Sequence, residues 1–226
     1  MTKSDPVRLI SVVLTLLAVA VIGLLLAWAV FTLPEQAVGL SSMVSDRMPE
    51  SGVNAEVTAI LLNFRSYDTL LELVVLLVAL LGAWYLGKMH LSPEDTKPGL
   101  VLEGLVRFLV PVMILVTGYI LWLGSHAAGG AFQAGALLAG AGVLMLVVSR
   151  EKLPLRDSIQ LRILLVAGPA VFTLVAGALV LVDKPMLQYP RQYAGSLILL
   201  IEAASTLTIG ITLTLLFAGG RPHRGD

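Results

Sequence analysis

The sequence predicts an all-α, polytopic membrane protein with about six transmembrane helices and both termini in the cytoplasm. Of its 226 residues, 57% are hydrophobic and only 13% are charged. A typical soluble domain has about 45–50% apolar and about 25% charged residues. The mean hydropathy of +0.91 points the same way. Because so few polar residues cannot cover a globule in water, the composition excludes a soluble enzyme.

Charge and cysteine content exclude further classes. Fifteen basic and fifteen acidic residues give a formal net charge of zero, so we expect no nucleic-acid partner. The chain has no cysteine, which excludes disulfides, iron–sulfur ligation and c-type haem attachment. His90, His126 and His223 are far apart and lack the spacing of metal ligands. We therefore expect no cofactor, no metal and no catalytic residue, and a chain that is not an enzyme by itself.

Six charge-poor runs are long enough to cross a bilayer, which requires about 20 apolar residues. They cover residues 9–33, 68–88, 107–126, 127–148, 162–183 and 192–217. The first run is longer than the apolar core of a signal peptide, which has about 7–15 residues. A retained membrane anchor is therefore favoured over a cleaved signal.

The placement of lysine and arginine predicts the orientation. If the N-terminus is inside, eleven basic residues lie in cytoplasmic segments and four lie in outer segments. Cytoplasmic loops of membrane proteins carry such an excess. We expect both termini in the cytoplasm and a location in the cell inner (plasma) membrane.

Two loops suggest a division of the chain into two modules. The outer stretch 34–67 contains a largely apolar piece, 53–64, which is too short to span and suits a re-entrant or interfacial helix. The stretch 91–99 has two prolines and a glycine, which interrupt regular structure. We expect a two-span module at 1–92, a linker at 93–99 and a four-span module at 100–226.

Asp68 and Glu72 form the first candidate site for ion passage. Four positions apart, they share one helix face, with Cβ atoms about 5–6 Å apart. Two carboxylates that close can hold and release a proton, or hold a cation between them. The alternative is that both acids only favour the macrodipole at the helix N-terminus, where Arg65 or water neutralises them.

Glu202 is the second candidate, because it lies well inside the last apolar run. A carboxylate at the bilayer centre costs about 2.5–3.5 kcal/mol on insertion scales. Ser205 and Thr208 continue its helix face as a partial polar stripe and would support it. The alternative is a protonated glutamic acid bound to a neighbouring helix.

The turn 124–130 joins the third and fourth runs on the outer side. Small residues follow it in steps of four, which lets helices approach closely. Close packing is the favoured explanation for these glycines. His126 is a possible supporting proton donor, although a solvated loop histidine is the commoner case.

The stretch 111–148, centred on 124–135, resembles the MnhB/MrpB family, the B-type subunits of Mrp-type multisubunit cation/proton antiporters. The positions that match the glycine-rich motif of the family are His126, Gly129, Gly130, Phe132 and Gly135. Four positions depart from it, namely Ser125, Ala128, Ala131 and Ala134.

The stretch 57–72 is similar to the C-terminal portion of the large A-type antiporter subunits and to the small E-type subunits of membrane-bound hydrogenases. The matching positions are Phe64, Arg65, Tyr67, Asp68, Thr69, Leu70 and Glu72, whereas Asn63, Ser66 and Leu71 depart. In those assemblies, acids matching Asp68 and Glu72 are implicated in ion passage. The last run around Glu202 resembles the end of the MnhB/MrpB proteins.

Together the two resemblances imply a fused protein and a membrane subunit of an Mrp-type Na⁺/H⁺ antiporter complex. They imply large antiporter-like subunits and small C-, E-, F- and G-like subunits as partners, with H⁺ and Na⁺ as the ions and lipid around the chain. A membrane-arm subunit of a redox-driven complex, such as a membrane-bound hydrogenase or a respiratory relative, is the alternative. A scaffold, or an uptake system for another small ion, also stays open.

Overall fold

A computed structural model of the chain describes residues 6–32, 41–86, 99–148, 158–182, 187 and 189–219. The predicted linker at 93–99 lies outside these residues except for Gly99, and so do both ends of the chain. The cytoplasmic placement of the termini therefore stays a prediction.

The described residues form eight α-helices and one π-helical turn, and contain no strand. The elements are α1 (Pro6–Phe31), α2 (Ser41–Ser51), α3 (Glu56–Ala59), the π-helical turn Ile60–Phe64, α4 (Ser66–Leu86), α5 (Leu100–Leu123), α6 (Ala131–Val148), α7 (Ile159–Leu181) and α8 (Arg191–Ala218). Six of these helices, α1 and α4 to α8, are long and apolar enough to cross a membrane. The predicted all-α fold class with about six spans is confirmed.

Helix α1 belongs to a compact unit of its own, residues 1–42. From Val13 to Phe31 none of its side chains is buried, and this stretch has a mean hydropathy of 2.7. A helix that is apolar all round and exposes its side chains on every face suits a lipid environment.

Helix α8 is the centre of the second unit, residues 43–226. More than half of its span is buried, against a third or less in every other candidate span. Close contacts with α6 explain much of this: a Cβ atom at Gly135 would lie 2.7 Å from the Cβ of Ile209. Gly210 meets Leu138 in the same way. The prediction that small residues on α6 serve close packing is confirmed at Gly135.

The apolar core joins α8 to α4 and α7. Its largest fully buried side chains include Leu73 of α4, Phe172 of α7, and Ile198 and Ile201 of α8. Inside a bilayer such packing is favoured by van der Waals contact, because lipid tails are as apolar as these side chains.

Helix α5 begins before the expected boundary at Arg107. Its first residue is Leu100, so Arg107 and Glu103 both lie within the helix. Their side chains form an ion pair of 3.5 Å, and that of Arg107 is 82% exposed. The helix passes through both charged residues, and a pair at this spacing contributes only about 0.2–0.5 kcal/mol.

The segment 51–65 packs on the turn 124–130. The backbone N–H groups of Asn54 and Ala55 both donate to the carbonyl oxygen of Ser125, at 3.1 and 3.3 Å. The start of α8 lies beside them, since Gly52 is packed against Ala194. The segment 51–65, the turn 124–130 and the start of α8 thus meet at one end of the bundle, which we call the turn end.

Candidate ion-passage site

Glu202 is a buried carboxylic acid on the central helix. Its residue surface is 4% exposed, and it lies eleven residues after the first residue of α8. The backbone N–H of Ala131, the first residue of α6, donates a hydrogen bond to its carboxyl group. Its Oε2 atom has no hydrogen-bond partner among the described residues. One oxygen is therefore held, and the other is buried without a partner among the described residues.

The glycine-rich turn is shaped around this carboxyl group. Gly130 has a φ of +104°, and a Cβ atom there would lie 2.5 Å from Oε1 of Glu202. The turn folds back tightly, because a Cβ at Gly124 would lie 2.6 Å from the Cα of Gly130, and one at Gly129 would lie 2.5 Å from the carbonyl oxygen of Ile120. Only glycine fits these positions. The tight turn that they allow places the N-terminus of α6 next to the Glu202 carboxyl group.

This arrangement suits a group that changes its charge. The N-terminus of a helix carries a partial positive charge that favours an anion. An apolar interior favours a neutral acid. The carboxyl group of Glu202 thus meets one feature that favours its charged form and one that favours its neutral form.

Asp68 and Glu72 lie elsewhere, on the exposed face of α4. Arg65 and Asp68 form an ion pair, with side chains 68% and 45% exposed, and Glu72 is exposed. Both acids line a groove of about 780 Å³ between α4, α6 and α8, together with Phe132 of α6. Asp68 and Glu72 share one face of α4, as the spacing predicts. Of the two acids, Asp68 is neutralised by Arg65.

The possible supporting residues differ in their burial and in their hydrogen bonds. The Ser205 hydroxyl is buried without a hydrogen-bond partner among the described residues. The Thr208 hydroxyl accepts from the N–H of Gly168 at 2.8 Å and donates to the carbonyl of Leu164 at 3.0 Å, so it is fully engaged with α7. His126 lies at the surface of the turn, 2.7 Å from the Ser125 hydroxyl and stacked obliquely on Trp122.

Two threonines near the site were not predicted from the sequence. The Thr58 hydroxyl donates to the carbonyl of Gly124 and so fixes the turn. The Thr69 hydroxyl donates to the carbonyl of Leu61 at 2.6 Å, where the π-helical turn leaves a backbone acceptor. The matching motif contains Thr69, but nothing local in the sequence shows which carbonyl either hydroxyl meets. Among the described residues, no three His, Asp or Glu side chains converge as metal ligands do.

Fold and site define a multi-pass α-helical membrane protein whose last span carries a buried acid capped by a helix N-terminus. The chain belongs to the family of domains related to the MnhB subunit of Na⁺/H⁺ antiporter, whose family model matches residues 101–220. A second family model, that of the MBH protein MbhE, matches residues 7–96. The predicted relationship, its fused character and the membrane location are confirmed.

Two solved structures have the same fold. The Mrp complex from Dietzia sp. DQ12-45-1b contains a chain that is 19% identical, with a TM-score of 0.70 over 100% of this chain and 27% of that one. The archaeal membrane-bound sulfane sulfur reductase contains a chain that is 24% identical, also with a TM-score of 0.70, over 93% of this chain and 97% of that one.

A curated relative is an uncharacterised protein of Methanocaldococcus jannaschii. It is 32% identical over 120 residues, with 44% of this chain and 45% of the relative covered. The chain thus matches less than half the length of that relative. The relationship to the MnhB subunits of Na⁺/H⁺ antiporters is thus confirmed at the level of family and fold.

Proposed function

We propose that the chain contributes an ion passage to a multisubunit Mrp-type complex that exchanges Na⁺ for H⁺. Glu202 carries this proposal, because it is a buried acid with one carboxyl oxygen on the N-terminus of α6 and the other unpartnered among the described residues. Ionisable residues inside membrane spans are expensive and mark ion pathways or proton relays. The chain itself makes and breaks no covalent bond in this scheme.

Asp68 and Glu72 extend the passage to the surface of α4. A carboxylate that faces hydrocarbon is costly, and Glu72 is exposed on a helix that spans. Water or a neighbouring protein of the complex must therefore cover these acids in a membrane. Phe132, which lines the same groove, follows the residue that binds Glu202, so α6 links the two acidic positions.

The partners in this scheme are the remaining membrane subunits, with the large antiporter-like subunits and the small C-, E-, F- and G-like subunits around this chain. Reversible occupation of the three acids by H⁺ or Na⁺ would couple the two fluxes. The larger partners would supply the rest of the exchange machinery.

The test is cation-driven proton movement in everted vesicles that hold the assembled complex. We expect Glu202→Gln, which keeps shape and loses charge, to reduce exchange at least tenfold, and Asp68→Asn or Glu72→Gln to do the same. Glu103→Gln is the matched control, because Glu103 is an acid on a spanning helix outside the site. If all three variants assembled normally and exchanged ions at the unchanged rate, the chain would act as a scaffold and not as an ion passage.

A redox-driven complex is the second candidate, and one observation favours it. The chain aligns with 97% of the matching sulfane sulfur reductase chain and with only 27% of the Dietzia chain. Mass spectrometry of the complex purified through a tagged native chain distinguishes the two. Soluble iron–sulfur or nickel–iron subunits in the particle would indicate redox-driven pumping, and membrane subunits alone would indicate secondary exchange.

A further inference from the structure

A second polar cavity lies at the turn end, apart from the three acids. Its volume is about 440 Å³, and it lies where the end of α2, the π-helical turn and the start of α8 meet. Its lining residues are Arg47, Glu50, Asn63, Phe64, Tyr189, Pro190 and Arg191.

The cavity gathers positive charge. Arg47 and Arg191 have no ion pair with any described residue, and both contribute to its wall. The N-terminus of α8 opens beside them with Pro190 as its N-cap residue, which makes no side-chain capping bond. Two guanidinium groups and an uncapped helix N-terminus together attract an oxyanion.

Tyr189 adds an independent sign of a missing ligand. The residue is 4% exposed, and its buried hydroxyl has no hydrogen-bond partner among the described residues. Burial raises the pKa of this phenol well above its usual range, so the hydroxyl keeps its proton and remains a donor. Buried polar groups in proteins nearly always have a partner. Because the hydroxyl itself is buried, a ligand in the cavity accepts from it only after the Tyr189 side chain rotates toward the opening.

The surroundings indicate a lipid headgroup as the source of the oxyanion. Phe64, an exposed aromatic residue, lines the cavity at the end of the spanning bundle. Aromatic side chains concentrate at the level of lipid headgroups. Glu50 on the cavity wall offers an acceptor for the hydroxyl or ammonium group that a headgroup carries beside its phosphate.

We propose that this cavity binds the phosphate of a phospholipid headgroup through Arg47, Arg191 and Tyr189. One phospholipid would then be held at a fixed place on each copy of the chain. This site is independent of the ion passage, because it shares no residue with the acidic groove or with Glu202.

Native mass spectrometry of the delipidated complex, titrated with phosphatidylglycerol, tests this site. We expect one tight adduct per copy, and at least about a tenfold loss of affinity in the double variant Arg47→Gln/Arg191→Gln, since each charge-assisted hydrogen bond is worth roughly that much. Tyr189→Phe, which removes one oxygen and keeps the ring, should weaken binding severalfold. Arg107→Gln is the matched control, and an excess of inorganic phosphate should not displace the lipid.

Three outcomes would overturn the proposal. Equal lipid affinity in the double variant and the wild-type complex would show that the two arginines do not bind the lipid. Displacement of the lipid by inorganic phosphate would make it a free-anion site. A cross-link from Gln192→Cys, a variant that keeps both arginines, to an acidic loop of a copurifying protein, with no lipid adduct, would make it a protein interface.

Discussion

Gly130 shows how a single residue can determine the geometry of a buried acid. Its φ of +104° is unfavourable for any residue with a side chain, and a Cβ atom would collide with the Glu202 carboxyl group. The glycine motif of the family is therefore part of the site, in addition to being a packing motif. The sequence predicted Glu202 as a functional candidate and close packing as the role of the glycines. It could not join the two, because residues distant in the chain meet only after folding.

The exchange of Gly130 for alanine tests this role. We expect Gly130→Ala to destabilise the assembled complex by about 1–3 kcal/mol, the usual cost of a residue held in a sparsely populated backbone conformation. Thermal melting of the purified complex measures the loss. Gly118→Ala is the matched control, because a Cβ at Gly118 meets no atom within 4 Å, and it should leave the melting temperature equal or higher. Equal melting of both variants would contradict this account.

At the scale of the elements, α7 is partly held together by a residue of α8. The Thr208 hydroxyl accepts from the N–H of Gly168 and donates to the carbonyl of Leu164, so it bridges two backbone groups one turn apart. Pro169 follows directly and has no N–H to donate. Inserted side chains of this kind are a recognised cause of helix bending. We infer that Thr208 has a structural role.

Thr208→Val removes the hydroxyl at nearly constant volume. We expect a loss of about 1–3 kcal/mol in stability, because two buried backbone groups lose their partner, and faster hydrogen exchange at Gly168. Thr208→Ser keeps the hydroxyl and should preserve slow exchange. If valine and serine gave the same exchange rate, the inserted hydroxyl would not hold α7 in the membrane.

Hydropathy predicted the long helices well and the short ones poorly. Each of the six apolar runs corresponds to one of the spanning helices, because about 20 apolar residues in a row have few other stable environments. The π-helical turn was missed, since its sequence, Ile60–Phe64, has no distinctive pattern. The ends of the spans were predicted from charge, and Arg107 shows the weakness of that criterion, because α5 begins seven residues before it, at Leu100.

At the scale of the whole molecule, the two family-matched parts share a hydrogen-bonded seam. Asn54 and Ala55 bond to Ser125, and Thr58 bonds to Gly124. Asn54, Ala55 and Thr58 lie in the part that matches MbhE, and the other two residues lie in the part that matches MnhB. The turn that supports Glu202 is thus held in place by the other part of the chain.

Thr58→Val tests whether the seam matters for function. We expect lower exchange activity together with a lower melting temperature, because the turn over Glu202 loses its anchor at Gly124. Thr58→Ser should retain most of both. The vesicle assay and thermal melting of the same preparations provide the measurement. Full activity in Thr58→Val, at a temperature where the variant is folded, would show that ion passage does not depend on the seam.

The capped position of Glu202 also has a consequence for biosynthesis. The chain emerges from the ribosome with α6 well ahead of α8, so the N-terminus of α6 is already in the membrane when the acid arrives. Inserting a carboxyl group costs roughly 2.5–3.5 kcal/mol. When α8 enters the membrane, the N–H group that binds this carboxyl is already there. A gene rearranged to translate α8 before α6 would present the acid to lipid first, and its last helix should enter the bilayer inefficiently.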